Sequence, residues 1–292
     1  MDMNIVLFHK GRLPEYITIT LHQIKKYNPY IDIYFISDNN PNLNKICKYI
    51  NLTELKSDYI SFFSESDFYM NESNPLWRTS IERFFYIHRL IEKLNLVNIF
   101  HFDNDVLIYD NFENVMNKIT DEKNLITPSN ENNLVCGMFY TKNLNSLTQI
   151  INQLYLKIKK GQLELETMYK NRNVVYDNKV VEKFHLTEMS LLKIIQEENE
   201  CIFNFPILPH DINYVKFNMC FDPSSWGQYI CIYDNHSPHY HSIHHYIGRY
   251  IHNKMYDLIF ENKKPIIVSN DKKYKLFNLH IHSKKLKKWI SY

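Results

Sequence analysis

The stretch Val97-Asn98-Ile99-Phe100-His101-Phe102-Asp103-Asn104-Asp105-Val106-Leu107-Ile108-Tyr109 limits this chain more than any other. An apolar run stops abruptly on two aspartates and then resumes. Residues 97–102 read as a buried strand. Open α/β sheets bind their ligands outside the C-terminal ends of such strands. Side chains at i and i+2 of a strand share a face, so Asp103 and Asp105 can reach one ion. Two carboxylates suit a hard divalent cation and leave positions for water and phosphate oxygens. Alone, Asp-x-Asp is also common as a strand-end turn with a capping aspartate. The buried strand before it and the apolar residues resuming at Val106 favour the metal reading.

The 292 residues suit one large α/β domain or two small ones, and 45% hydrophobic with 23% charged residues marks a globular chain. A net charge of +2 points to neither nucleic acid nor membrane. The start, Met1-Asp2-Met3-Asn4-Ile5-Val6-Leu7-Phe8, lacks the features of a signal peptide. No apolar stretch approaches the roughly 20 residues of a membrane span. Five unpatterned cysteines read as reduced thiols, and the expected location is cytoplasmic. Only five glycines occur, so the positions of Gly137, Gly227 and Gly248 carry information.

Residues 4–8 read as a first strand, His9-Lys10-Gly11-Arg12-Leu13-Pro14 as a loop, and Glu15 to Tyr27 as a helix. Ile31 to Ile36 is a second strand, ending at Ser37-Asp38-Asn39-Asn40. Strand, helix, strand predicts a parallel sheet. A helix from Leu76 to Asn95 starts with Asn74 as N-cap and Pro75 at its first position. Further strands are expected at 125–127 and 135–140. Helices are expected from Leu144 to a C-cap at Gly161 and from Thr187-Glu188 to Glu198. Residues 201–250 read as strand-poor. A hairpin follows, with Pro265–Ser269, a turn at Asn270-Asp271, and Tyr274–His282. The tail from Ser283 to Trp289 is basic.

Three other clusters bear on chemistry. His280 and His282 fall on one strand face. Imidazole suits an ion such as Mn²⁺, and the adjoining lysines suit a diphosphate; a polar edge strand is the plain alternative. Six of the 14 histidines lie between His236 and His252, but no cysteine pair or regular spacing supports zinc. Asp222-Pro223-Ser224-Ser225-Trp226-Gly227-Gln228 suits a sugar, through an aromatic face and hydroxyl partners; a tight turn over a buried Trp fits equally. Arg78 and Arg83 could reach a phosphate, although surface ion pairs are the commoner fate of helical arginines.

In order along the chain, these pieces resemble the nucleotide-sugar-dependent glycosyltransferases of the GT-A fold. The resemblance spans nearly the whole length. It rests on the His9-Lys10 loop, the Trp77–Arg83 helix, Phe102-Asp103-Asn104-Asp105, Asn133-Leu134-Val135-Cys136-Gly137, Asp222…Trp226-Gly227-Gln228-Tyr229, and a late histidine followed by lysines. It implies a Rossmann-like, mixed, mostly parallel sheet flanked by helices in a single domain, 1–292. Residues 1–110 would mainly hold the nucleotide, and 111–292 the acceptor and the last metal ligand. It implies Mn²⁺ or Mg²⁺ and a nucleotide-sugar donor, UDP-linked by expectation. The acceptor, a glycan, protein or small molecule, stays open. Asp103 would lie near ribose and metal, and Asp105 would be the direct ligand. A C-terminal histidine would complete the shell. His280 and His282 are preferred to His245, whose His-x-x-Gly spacing fits but which lies upstream. Asp38, Arg83, Asn104, Gly137, Trp226, Gly227, Gln228 and Lys284, with His9 and Lys10, are the expected donor contacts. If the reaction inverts configuration, Asp222 and Glu188 are the candidates for the base that takes the acceptor's proton.

Two other classes compete. A phosphohydrolase would use the first aspartate as nucleophile, but its motif normally ends the first strand, and here Leu107 stands where Thr or Val is expected. A binding protein could keep the fold and lack catalysis.

Overall fold

A computed structural model describes residues 3–70, 75–119, 125–129, 133–176, 179–183, 186–230 and 246–292. The strands are β1 (Asn4–His9), β2 (Asp32–Ser37), β3 (Lys48–Asn51), β4 (Ile99–Phe102), β5 (Val106–Ile108), β6 (Leu125–Pro128), β7 (Met138–Thr141), β8 (Asn173–Tyr176), β9 (Lys179–Lys183), β10 (Ile202–Phe205), β11 (Asp257–Glu261), β12 (Lys264–Ser269), β13 (Lys272–Lys275) and β14 (Asn278–His280). The helices are α1 (Tyr16–Tyr27), α2 (Asp58–Glu65), α3 (Leu76–Leu94), α4 (Glu113–Met116), α5 (Leu144–Lys159), α6 (Gln162–Tyr169), α7 (Glu188–Asn199), α8 (Tyr214–Phe217), α9 (Trp226–Ile230) and α10 (Tyr246–His252).

Seven strands form one sheet in the order β10-β6-β7-β4-β1-β2-β3. Only β7 runs antiparallel to its neighbours; the other pairings are parallel. The mixed, mostly parallel sheet expected from the sequence is therefore present, with helices on both faces. Strand alternation divides the core in two. Val6, Phe8 and Ile36 pack with Ile81, Phe84 and Phe85 of α3. Ile5, Leu7, Ile33 and Phe35 pack with Ile17, Leu21 and Ile24 of α1. Because both faces are covered, the central strands read as continuous apolar runs.

Several local expectations change. Residues 136–137 form a turn, and β7 begins only at Met138. Gly161 does not cap α5; Lys160 does, and Gly161, at φ +86°, starts α6. The strand-poor reading of 201–250 misses β10, whose four residues pair with β6. The expected N-cap Asn74 and the histidines at 236–245 lie outside the described residues. Pro75 occupies the cap position of α3. Arg78 does not face a ligand. It donates to the carbonyls of Phe63, Ser64, Ser66 and Phe68, closing the C-terminal end of α2.

The largest departure is in the C-terminal hairpin. β12 and β13 pair as expected, but the chain then leaves the hairpin, and β14 pairs antiparallel with β5. A third apolar cluster drives this, with Leu107, Trp226, Ile267, Leu279, Ile281 and Trp289 buried together. Among the described residues, no helix is long and apolar enough to cross a membrane.

His88 sits on the apolar face of α3, 5% exposed, with Nε2 2.8 Å from Thr148 Oγ1. Burial holds its pKa below the usual histidine value. The unfolded chain therefore binds a proton more readily than the native one. Stability is expected to fall as pH drops from about 6.5 toward the depressed native value. Urea titrations at successive pH values should show this slope, partly flattened in His88→Gln. An unchanged slope would exclude the role.

Candidate metal and active site

The strand order reverses between β1 and β4, and the C-terminal edge at such a switch is where an open sheet leaves a crevice. His9 ends β1, Asp38 follows β2, and Asp103 follows β4, all on this edge. The aspartates do not lie on one continuous strand. The backbone turns there, with Val106 N–H donating to Asp103 O at 3.1 Å. The turn is pinned by Thr20 Oγ1 on Asn104 O and by Asn104 Nδ2 on Phe8 O at 2.8 Å.

Pairing of β14 with β5 carries His280 opposite Val106, beside the aspartates. His280 Nε2 lies 3.1 Å from Asp105 Oδ1 and 4.0 Å from Asp103 Oδ2. One donor atom from each of Asp103, Asp105 and His280 falls within 4.8 Å of the others. Oxygen, oxygen and imidazole nitrogen make a donor set suited to Mn²⁺. The surroundings fit such a group too. A Cβ on Gly137 would stand 2.8 Å from His280 Nδ1 and 3.0 Å from Asp103 Oδ2, so glycine leaves the space that lets the donors converge.

The electrostatics hold these groups in ligand form. Burial alone would raise the Asp103 pKa, but Arg83, His101 and His280 hold it well below the usual carboxylate range. Burial keeps the His280 ring below its usual pKa, hence neutral with a lone pair to offer. Arg83 is 6% exposed and bridges two acids, Asp103 Oδ1 through Nη1 and Glu188 Oε1 through Nη2 at 2.9 Å. Arg83 thus ties Asp103 to Glu188, the contacts the structure gives this expected donor residue. Glu188 opens α7 and is buried, with Oε2 accepting no hydrogen bond, and burial pushes its pKa up.

The remaining candidates separate. Lys284 turns back at φ +61° to contact Asp105 Oδ2 and lies over the Tyr16 ring. Lys10 is held by both oxygens of Glu82, at 2.9 and 2.8 Å. His9 Nδ1 is 3.4 Å from Asn104 Nδ2. Asp38 accepts from Gly11 N–H at 3.0 Å and Asn39 Nδ2, tying the β1 loop to β2. Asn104 Oδ1 is buried with no hydrogen-bond partner. Trp226 is fully buried, its Nε1 on Ile207 O at 3.2 Å, so it offers no face to a sugar. His282 does not join the carboxylates. Its Nε2 meets Ser224 Oγ instead.

Asp222 is also reassigned. It is 3% exposed, and its carboxylate accepts from the backbone N–H groups of Ser225, Trp226 and Gly227 at 2.7–2.8 Å and of His280 at 2.9 Å. Asn278 hydrogen-bonds the Asp222 backbone on both sides, at 3.1 and 3.3 Å. A carboxylate enclosed this way cannot collect a proton from an acceptor. It latches α9 to β14 and so fixes His280. Asp222→Asn replaces one acceptor oxygen by a donor facing N–H groups. The expected result is a loss of about 2 kcal/mol of stability together with Mn²⁺ affinity weakened about tenfold. Calorimetric Mn²⁺ titration at wild-type affinity would refute the latch. Glu82, Asn278 and Ser224 were not singled out as site residues. Residue type alone gave no signal for Glu82 or Asn278, whereas Ser224 lies within the motif at 222–228.

No protein-family model and no curated protein sequence matches the chain. Solved structures do resemble it. A galactosyltransferase, LgtC, solved with donor and acceptor sugar analogues, is 12% identical over 70% of this chain and 73% of its own, with a TM-score of 0.41. The glycosyltransferase GlyE of Streptococcus pneumoniae is 11% identical over 80% of this chain, which spans 51% of GlyE, with a TM-score of 0.47. Mouse xyloside xylosyltransferase 1 is 13% identical over 70% of this chain and 84% of its own, with a TM-score of 0.46.

Proposed function

We propose that this chain is a metal-dependent glycosyltransferase that takes its sugar from a nucleotide-sugar donor, UDP-linked. The observation that carries the reading is the convergence of Asp103, Asp105 and His280 at the sheet's switch point, drawn from distant parts of the chain. The ordered motifs of the sequence support it. So does Lys284, a cation on the same carboxylate and suited to a diphosphate.

Mn²⁺ or Mg²⁺ held by Asp103, Asp105 and His280 would supply positive charge to the departing diphosphate. The chain's own groups do the rest. Lys284 adds a second positive charge there. Arg83 keeps Asp103 ionised and aimed forward. Asn104, with its unpartnered acceptor, and the His9, Lys10 and Asp38 loops form the nucleotide side. Glu188, opposite Arg83, is the remaining carboxylate for the sugar or the acceptor's proton. A cytoplasmic location belongs to the same proposal.

A thermal-shift screen of UDP-, GDP- and CMP-sugars with and without Mn²⁺ tests the reading. Native-state binding raises the melting temperature. The expected result is a shift for UDP-sugars that requires Mn²⁺, with UDP released on incubation. Phosphate release from a monoester, with no response to any sugar nucleotide, would favour the hydrolase instead.

A further inference from the structure

Beside the metal cluster lies a second polar group that the carboxylates do not use. His282 Nε2 contacts Ser224 Oγ and stands 3.3 Å from Gln228 Nε2, itself 3.4 Å from Ser224 Oγ. The His282 ring lies 4.7 Å from that of His280, so this trio borders the metal donors. Its geometry is imposed by the frame. Ser224 takes φ +66°, a left-handed conformation unfavourable for a residue with a Cβ. The Asp222 latch holds the next three residues in place. Backbone held in such a conformation is concentrated at functional sites.

We propose that Ser224, Gln228 and His282 form a subsite that recognises the hydroxyl groups of a sugar ring. This rests on the glycosyltransferase reading and adds to it where the sugar is read. The chemistry selects a hydroxylated ligand over a phosphate. Serine and glutamine are neutral and carry donors and acceptors together, and imidazole adds one more of either kind. Neighbouring sugar hydroxyls each donate and accept, so a mixed set satisfies them. A phosphate oxygen accepts only, and the cation suited to it, Lys284, contacts Asp105 and is not one of these three. Gln228 is half-buried, while Ser224, Trp226 and Gly227 beside it in sequence are buried. The ring recognised could be the donor's or the acceptor's, and the chemistry is the same.

Ser224→Ala and Gln228→Ala, made in the full chain, separate these cases. Mn²⁺, UDP, UDP-glucose and UDP-galactose are titrated calorimetrically, and UDP release is followed against a panel of methyl pyranosides. A donor-ring subsite predicts UDP-hexose affinity down about tenfold, with Mn²⁺ and UDP affinities within about twofold of wild type. An acceptor-ring subsite leaves all four affinities intact and raises the pyranoside KM about tenfold. The proposal is overturned if UDP and UDP-hexose weaken equally, or if neither variant moves any of these quantities. Gln228→Ala alters the less buried of the two side chains, so it keeps the test valid if Ser224→Ala fails to fold. Wild-type protein that binds neither Mn²⁺ nor UDP would instead refute the glycosyltransferase reading itself.

Discussion

Asp105→Ala is expected to weaken Mn²⁺ binding by about 100-fold or more and to lower donor turnover at least as far. Asp105 is 4% exposed, with one oxygen toward His280 and the other toward Lys284. Its loss removes one of three donors and leaves the Lys284 ammonium facing the gap. A cation there would meet a neutral imidazole, one carboxylate and a like charge. Asp105→Asn should fall between wild type and alanine, because the amide oxygen still donates but carries no charge. His282→Ala is the informative contrast. Since His282 bonds Ser224, Mn²⁺ affinity should survive its removal, whereas His280→Ala should lose it. Isothermal titration with Mn²⁺ on these four variants reads the ligand set directly. Full Mn²⁺ affinity in Asp105→Ala would overturn the metal assignment.

Gly227→Ala should be among the most damaging substitutions of one methyl group in this chain. A Cβ at 227 would lie 1.9 Å from the carbonyl oxygen of His280 and 2.9 Å from Asp222 Oδ2. Neither neighbour is a free side-chain end. One is the backbone of β14, and the other is the carboxylate that joins α9 to β14. Either the strand moves away from β5 or α9 loses its latch, and both displace His280. Forced insertion into a packed site costs about 3 kcal/mol, a fall of roughly 5–10 °C in melting temperature. Mn²⁺ affinity should drop with it. Gly161→Ala makes the control. It has no atom within 4 Å and only a φ of +86° to accommodate, so it should cost about 1–2 kcal/mol and leave Mn²⁺ binding alone. Thermal denaturation with and without Mn²⁺ compares the two. Equal effects on metal binding would show that the contact with β14 is not what matters.

The first half of the sheet was legible because its signals are local. In β1 and β2 apolar residues follow one another, and α1 and α3 repeat theirs on a helical face, so pattern alone located four elements. The turn around Asp103–Asp105 was legible in residue type but not in shape, since a strand and a tight turn both present i and i+2 together. The C-terminal half was harder. Residues 274–276 and 277–282 each alternate as a strand would, and only the consecutive Leu276-Phe277 marks the break after Lys275. The break follows from Leu279 and Ile281 joining Trp226 and Trp289 in the third cluster, a matter of which apolar surfaces meet.

The site residues divide along the same line. Chemistry-bearing types flagged Asp222, Trp226 and Arg83, but type does not report burial. All three lie inside, where they hold other groups in place. His280 and His282 were equivalent in sequence, two residues apart on one strand face.

By itself the sequence determined that this is an α/β chain with two carboxylates at a strand end, because side-chain periodicity and residue chemistry are properties of short segments. Only the tertiary structure decided that His280, and not His282, meets Asp103 and Asp105. That choice depends on β14 pairing with β5 and on two glycines leaving room for His280, Gly137 for its imidazole and Gly227 for its backbone, contacts between segments far apart in the chain.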